Sequence, residues 1–163
     1  MHDSSSVTYP VFTAIAAPEV QNKLNGDFAI IAGPYLQNLA TGGCELDYTL
    51  TFVSEKFISM VFFGVLDEGE KEIFAKIPLN IDVQTGAQLA LGDVLNLRDA
   101  DLLPVLRLLT KKDKVDFSKG ITESWYYNGT NFVFCQRSET GEWLEATVAA
   151  SDLKKFLLKP ELF

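Results

Sequence analysis

Leu46-Asp47-Tyr48-Thr49-Leu50-Thr51-Phe52-Val53-Ser54-Glu55-Lys56-Phe57-Ile58-Ser59-Met60-Val61-Phe62-Phe63-Gly64-Val65 reads as two apolar runs joined by a polar turn. Leu46, Tyr48, Leu50 and Phe52 recur at every second position, the period of a strand that shares one face. Residues 53–56 supply the turn. Residues 57–65 return as a second strand, in which Val61-Phe62-Phe63 implies burial on both faces. After an acidic hairpin loop over 66–71, residues 73–83 make a third strand, closed by Gln84-Thr85-Gly86-Ala87 with a glycine suited to a left-handed turn position. Strands joined by connections this short pair antiparallel, so the fold is built on a β meander.

Upstream of the meander, Val20, Leu24, Phe28, Ile31, Tyr35 and Leu39 recur at spacings of three and four, which draws one helical face. Pro18 and Glu19 suit the first turn of that helix, and Gly33-Pro34 is expected to kink or split it. Residues 7–15 alternate as a short strand that Pro10 confines to a sheet edge. Downstream, Leu102, Val105, Leu106 and Leu109 stripe a helix expected over 98–110. Strands follow at 125–128, 132–137 and 143–148, with Asn128-Gly129 a strong tight-turn signal. Ser151-Asp152 are expected to cap a last short helix carrying Leu153, Phe156 and Leu157, stopped by Pro160. No repeat or shift in composition divides the chain. The expected fold class is therefore α+β, an antiparallel meander packed against helices, as a single domain over 7–163 behind a disordered linker at 1–6.

At 163 residues, 47% of them hydrophobic and 12 of them Phe, the chain has ample material for a core and is not disordered. A net charge of −8 would repel a phosphate backbone or an anionic membrane surface, so nucleic acid is not an expected partner. Lys111, Lys112 and Lys114 are interrupted by Asp113 and read as a solvated helix end. Cys44 and Cys135 are too few and too far apart for a metal knuckle, and either two buried thiols or one long-range bridge accounts for them. No apolar run reaches the roughly 20 residues of a membrane-spanning helix. The polar start, Met1-His2-Asp3-Ser4-Ser5-Ser6, is expected to be a trimmed linker behind an added Met, with any signal or anchor removed.

The only histidine is His2, which leaves no His-dependent triad, no His-ligated zinc site and no imidazole base in the folded part. There is no phosphate-cradling glycine loop and no nucleophile elbow. Paired carboxylates stay open as a catalytic class, through Glu139, Glu142 and Glu145 or through Asp67, Glu68 and Glu70. The second group is also a conceivable calcium loop, although its spacing fits no EF-hand. Acids in hairpin loops more often keep an edge soluble, so no catalytic residue, metal ligand or cofactor is expected. The sharper feature is aromatic. Trp125 and Tyr127 fall on one face of a strand with Tyr126 on the other, and Trp143 lies on a neighbouring strand. Core or cross-strand packing is the ordinary explanation. The functional alternative makes Trp125, Tyr127 and Trp143, with Glu139 and Glu142, a platform for a sugar ring or a protein partner.

Three local patterns sharpen the reading. Tyr9-Pro10-Val11 leads into Pro18-Glu19-Val20-Gln21-Asn22-Lys23-Leu24-Asn25. Asn80-Ile81-Asp82-Val83-Gln84-Thr85-Gly86-Ala87-Gln88-Leu89-Ala90-Leu91-Gly92-Asp93-Val94-Leu95 is similar to an aromatic-x-Asp-x-x-Thr-Gly-x-x-Leu-x-Leu-x-Asp run, and residues 144–157 are a strand feeding a Ser-Asp-Leu-Lys helix. Together they resemble the extracytoplasmic domain shared by the lysozyme-sensing anti-sigma factor RsiV and the accessory region of the peptidoglycan deacetylase PdaC, over most of the chain. Each pattern also has a structural explanation: Thr85-Gly86 shapes a turn, Leu89 and Leu91 pack inward, and Asp93 caps a short helix. Members of that family carry a Gly-Gly-Ala-His segment between the second and third meander strands, where this chain has Asp67-Glu68-Gly69-Glu70, so no functional residue carries over. The resemblance implies a non-enzymatic binding module of a secreted or surface-tethered bacterial protein, its ligand a cell-wall glycan or a basic protein such as lysozyme. The acidic charge favours a basic partner. The rivals are a small glycan hydrolase using paired carboxylates and a purely structural domain.

Overall fold

The computed structural model describes residues 5–15, 17–40, 42–67 and 71–163. In the first sheet, β1 (Ser6–Val7) pairs parallel with β2 (Cys44–Val53), and β2, β3 (Phe57–Asp67) and β4 (Glu72–Asp82) form the expected antiparallel meander, extended by β5 (Ala87–Gln88). The second sheet is antiparallel and holds β6 (Trp125–Tyr127), β7 (Asn131–Arg137) and β8 (Trp143–Ala149) in that order. The α-helices are α1 (Pro18–Asn38), α2 (Leu91–Val94) and α3 (Leu102–Leu109), and the chain closes with 3₁₀ turns at Ala150–Phe156 and Pro160–Leu162. The architecture is α+β in one domain. None of the described helices is long and apolar enough to cross a membrane.

The first sheet separates two cores. On one face Leu46, Ile58, Met60, Phe62, Leu79 and Ile81 pack against Val20, Leu24, Phe28, Ala32 and Tyr35 of α1, so the periodicity of the helix meets the alternation of the strands. Gly64 makes room there for the Tyr35 ring, because a Cβ at that position would stand 2.0 Å from the phenol oxygen. On the other face Phe57 joins a core formed by the second sheet, α2, α3 and the closing 3₁₀ turns. Phe57 stacks on Trp125 at a 12° interplanar angle, and Trp125, Tyr127, Phe132 and Phe134 continue the aromatic stack. Cys44 lies in the first sheet under α1 and Cys135 in the second sheet; both are buried, free thiols, which resolves the alternatives the sequence left open.

Several expectations change. Of residues 7–15 only Val7 joins a strand, together with Ser6, so order begins within the expected linker; Ser5 Oγ accepts the Cys44 N–H, while residues 1–4 lie outside the described residues. The Thr8 N–H still donates to the Leu46 C=O of β2 (2.8 Å), but from Phe12 onward the segment takes its hydrogen bonds from α1. Asn25 binds both the N–H and the C=O of Phe12, and Gln21 Oε1 accepts from the Ile15 N–H. Helix α1 runs unbroken through Gly33-Pro34. Pro34 is exposed, as is Ile30 one turn earlier, so the helical hydrogen bond that proline cannot make belongs to the solvent side of the helix. Leu46, Tyr48, Leu50 and Phe52 do not share one face, because a β-bulge between Leu50 and Phe52 turns Phe52 to the opposite side, where its ring meets Tyr127 at 5.0 Å. Helix α3 starts at Leu102, not near 98, since Asn96 and Asp99 side chains accept the Arg98 and Asp101 N–H groups in non-helical turns. Ser151 and Asp152 sit inside a 3₁₀ turn that has no side-chain cap.

Candidate functional site

The second sheet stands edge-on upon the first. β6 presents its outer edge to the meander, where the buried side chains of Ser59 and Asn80 grip it. The Tyr127 N–H donates to Ser59 Oγ (2.8 Å), Asn80 Nδ2 donates to the Trp125 C=O (2.7 Å), and the Ser59 hydroxyl donates to Asn80 Oδ1 (2.7 Å). Every polar atom of this clasp that is out of water has a partner, which is what allows it to be buried. One side of the standing sheet, with Trp125 and Tyr127, closes the second core. The other side looks out over the uncovered end of the meander.

That end and that side meet in an open corner. Antiparallel register places Phe63 opposite Lys76, Val65 opposite Phe74, Asp47 opposite Phe63 and Glu45 opposite Val65, so these residues share the outer face of the first sheet. Phe63 and Phe74 remain 43% and 50% exposed, unusual for rings in the middle of long strands. Trp143, Leu144 and Glu145 of β8 form the wall. Two adjoining clefts fill the corner: about 400 Å³ over Glu45, Phe63, Val65, Phe74 and Lys76, and about 690 Å³ between Phe74, Lys114 and the hairpin from Thr140 to Glu145. Phe74 and Trp143 line both.

At the angle of the corner, Oε1 of Glu145 gathers three groups. It accepts the Lys76 ammonium, it accepts the Tyr126 hydroxyl at 3.0 Å, and the Cys135 thiol lies 3.9 Å away. The Lys76 ammonium also sits 5.6 Å from the ring centres of both Phe63 and Tyr126, in cation–π range. Burial pushes the Tyr126 hydroxyl well above its ordinary range, and the hydrogen bond and charge of Glu145 push the same way. Burial likewise pushes the Cys135 thiol up to about 12; Lys76 opposes that rise and Glu145 adds to it. A thiol so protonated is a poor nucleophile or metal ligand at neutral pH.

The residues singled out from the sequence part company here. Trp125 and Tyr127 are 2% and 4% exposed and stack in the core, so they are corrected from platform to scaffold: their face of β6 is the one that closes over Phe57. Trp143 does line the corner, and its indole N–H is buried without an acceptor among the described residues. Glu142 lines the larger cleft, whereas Glu139 is exposed in the hairpin and does not. Glu145, the third member of that acidic group, is held by Lys76 and Tyr126. Of the acidic loop, Asp67 ends β3, while Glu68 and Glu70 lie outside the described residues. Among the described residues no three His, Cys, Asp or Glu side chains converge to hold a metal ion. Sequence reading missed Phe63, Phe74, Lys76 and Lys114. The doublet Phe62-Phe63 was the available signal, because alternation forces one ring of such a pair off the α1 face.

The corner offers exposed π faces, carboxylates at Glu45 and Glu142, an ammonium at Lys114 and a second at Lys76 that is paired with Glu145. Such a surface can stack on flat or cationic groups and accept hydrogen bonds around them. No family model matches the chain, and no curated protein matches it. Among solved structures it is similar to a DUF3298 family protein from Pseudomonas aeruginosa PAO1, with a TM-score of 0.61 and 14% identity over 89% of this chain and 83% of that one. It is also similar to a member of the DUF3298 family from Bacteroides fragilis, with a TM-score of 0.54 and 14% identity over 85% of this chain and 65% of that one. At such identity the likeness is one of architecture: the chain has the fold seen in these DUF3298 proteins.

Proposed function

We propose that this domain is a non-catalytic, extracytoplasmic binding module that receives a basic polypeptide, lysozyme-like enzymes among them, in the corner between its two sheets. The observation that carries the proposal is the pair of exposed phenylalanines, Phe63 and Phe74, lying bare beside Trp143 within an acidic surround. Lys76 and Glu145 neutralise one another, which leaves Glu45 and Glu142 against Lys114 in the lining of the clefts of a chain whose net charge is −8. A field of that sign speeds the approach of a cationic partner, and exposed aromatic rings provide the anchor points that interfaces favour. The resemblance to the RsiV and PdaC domains agrees with an address outside the cytoplasm. A signal peptide, lipobox or membrane helix encoded upstream in the gene would be the matching observation for that address.

Calorimetric titration with lysozyme at low and moderate salt tests the proposal. Saturable heat that weakens as salt rises is expected, and Phe74→Ala should lower the affinity by about tenfold or more while leaving the fold intact. Heat with a chito-oligosaccharide that ignores salt, and none with lysozyme, would replace the basic polypeptide by a glycan as the ligand. Silence with both removes the corner as a docking site for either.

A further inference from the structure

The two outer edges of the standing sheet are finished differently. At either end of the β7–β8 ladder the Ser138 N–H donates to the Glu142 C=O (2.8 Å) and the Ala150 N–H donates to the Thr130 C=O (3.0 Å), which assigns the ladder bonds to even-numbered residues of β8. The N–H and C=O groups of Trp143, Glu145 and Thr147 consequently point away from β7, on the side where the sheet has no further strand among the described residues. The Thr147 N–H is taken by Asp113 Oδ2 at 3.3 Å, which blunts half of that edge. The other half, Trp143 to Glu145, borders the cleft of about 690 Å³. On β6 the corresponding outward groups, the Trp125 C=O and the Tyr127 N–H, are held by Asn80 and Ser59. One edge is clasped, and the other is stopped at one end only.

We infer that the Trp143–Glu145 edge of β8 takes up an extended, basic segment of a partner polypeptide as an additional strand, resting on the reading of the corner as a docking site. Strand addition gives affinity through main-chain hydrogen bonds and specificity through alternate side chains. A strand added about 4.8 Å beyond β8 lies along the larger cleft, where one row of its side chains reaches Phe74 and the Trp143 wall. Charge selects the occupant. Glu142 and Glu45 flank the two clefts and attract lysine or arginine side chains, whereas an edge-to-edge pairing with a second copy would bring two chains of charge −8 together. The Asp113 contact sets the length of the graft, because a strand growing past Glu145 toward Thr147 meets an N–H already engaged.

The test uses the whole domain, labelled with nitrogen-15, and a heptapeptide of alternating lysine and valine as the probe. Amide exchange at Trp143 and Glu145 should slow by about tenfold or more at saturation, and the same peptide methylated on alternate amide nitrogens should bind about tenfold more weakly. A glutamate–valine peptide should not bind. Saturable binding that perturbs the Phe63, Phe74 and Trp143 rings without protecting those two amides would overturn strand addition and leave the corner standing as a docking site. Protection that grows with protein concentration alone would overturn it in favour of a second copy. No binding by any of these peptides, nor by lysozyme, would overturn both this inference and the reading beneath it.

Discussion

The outer face of the meander carries aromatic and polar residues along its whole length, yet its two ends have different fates. At one end Phe57, Ser59 and Asn80 lie beneath the standing sheet and are buried; at the other, Phe63, Phe74 and Lys76 belong to the same two strands, and both rings are bare. The cause is length. β3 and β4 run for 11 residues each, while β6, the strand that rests upon them, has 3. A strand advances about 3.3 Å per residue, so so short an element shields only part of so long a floor. Exposure of the corner is therefore set by how the second sheet is seated, and composition alone does not distinguish the covered rings from the open ones.

Substitutions can break that contrast, and the largest effect belongs to the covered end. Trp125→Ala should cost about 3–5 kcal/mol by urea unfolding, because it opens a cavity against Phe57 and Phe132. If it cost no more than a surface change, the seating of the second sheet would be misjudged. Next comes Asn80→Ala, expected to cost roughly 2–3 kcal/mol, since the Ser59 hydroxyl and the Trp125 carbonyl are both left buried and short of a partner. Alkali probes the angle between the two ends. Cys135 is raised from 9.0 to about 12 in the folded state, so its contribution to stability is complete below pH 9 and is lost as pH climbs toward 12. Tyr126, also raised, acts in the same direction. The melting temperature should fall over that interval, and Cys135→Ala should flatten the fall. Glu145→Gln should cost about 1 kcal/mol or less, because the carboxylate it replaces is partly exposed although Lys76 is nearly covered. Smallest is Phe74→Ala, expected within about 0.5 kcal/mol of the parent in stability. Its effect should appear in the binding titration instead.

Most of the fold was legible because it is periodic. The meander follows from two-residue alternation and α1 from spacings of three and four, and Asn128-Gly129 and Gly86 occupy the turns that glycine permits, with φ of 93° at Gly129 and 66° at Gly86. What escaped was aperiodic. The bulge at Leu50 and Phe52 has no sequence signature, and it reverses the face of a residue that alternation assigns firmly. Residues 8–15 alternate like a strand, but the partner that satisfies part of their backbone is Asn25, a side chain no local pattern connects to Phe12. The candidate site was legible only in Trp143, Glu142 and Glu145. Trp125 and Tyr127 carry the same chemistry as Trp143, and only the clasp of Ser59 and Asn80 decides which face of β6 is sealed. That clasp ties β6 to residues 45 or more positions away in sequence, beyond the reach of any window.

The two thiols offer a way to watch the halves of the molecule come apart. Cys44 is sealed beneath α1 and Cys135 within the standing sheet, so each can meet an alkylating reagent only when its own layer opens. Matching labelling rates would mean that the two layers yield as one cooperative unit. A faster rate at Cys135 would mean that the second sheet lifts from the meander while α1 stays in place, which would make the seat of the corner the first part of the domain to give way.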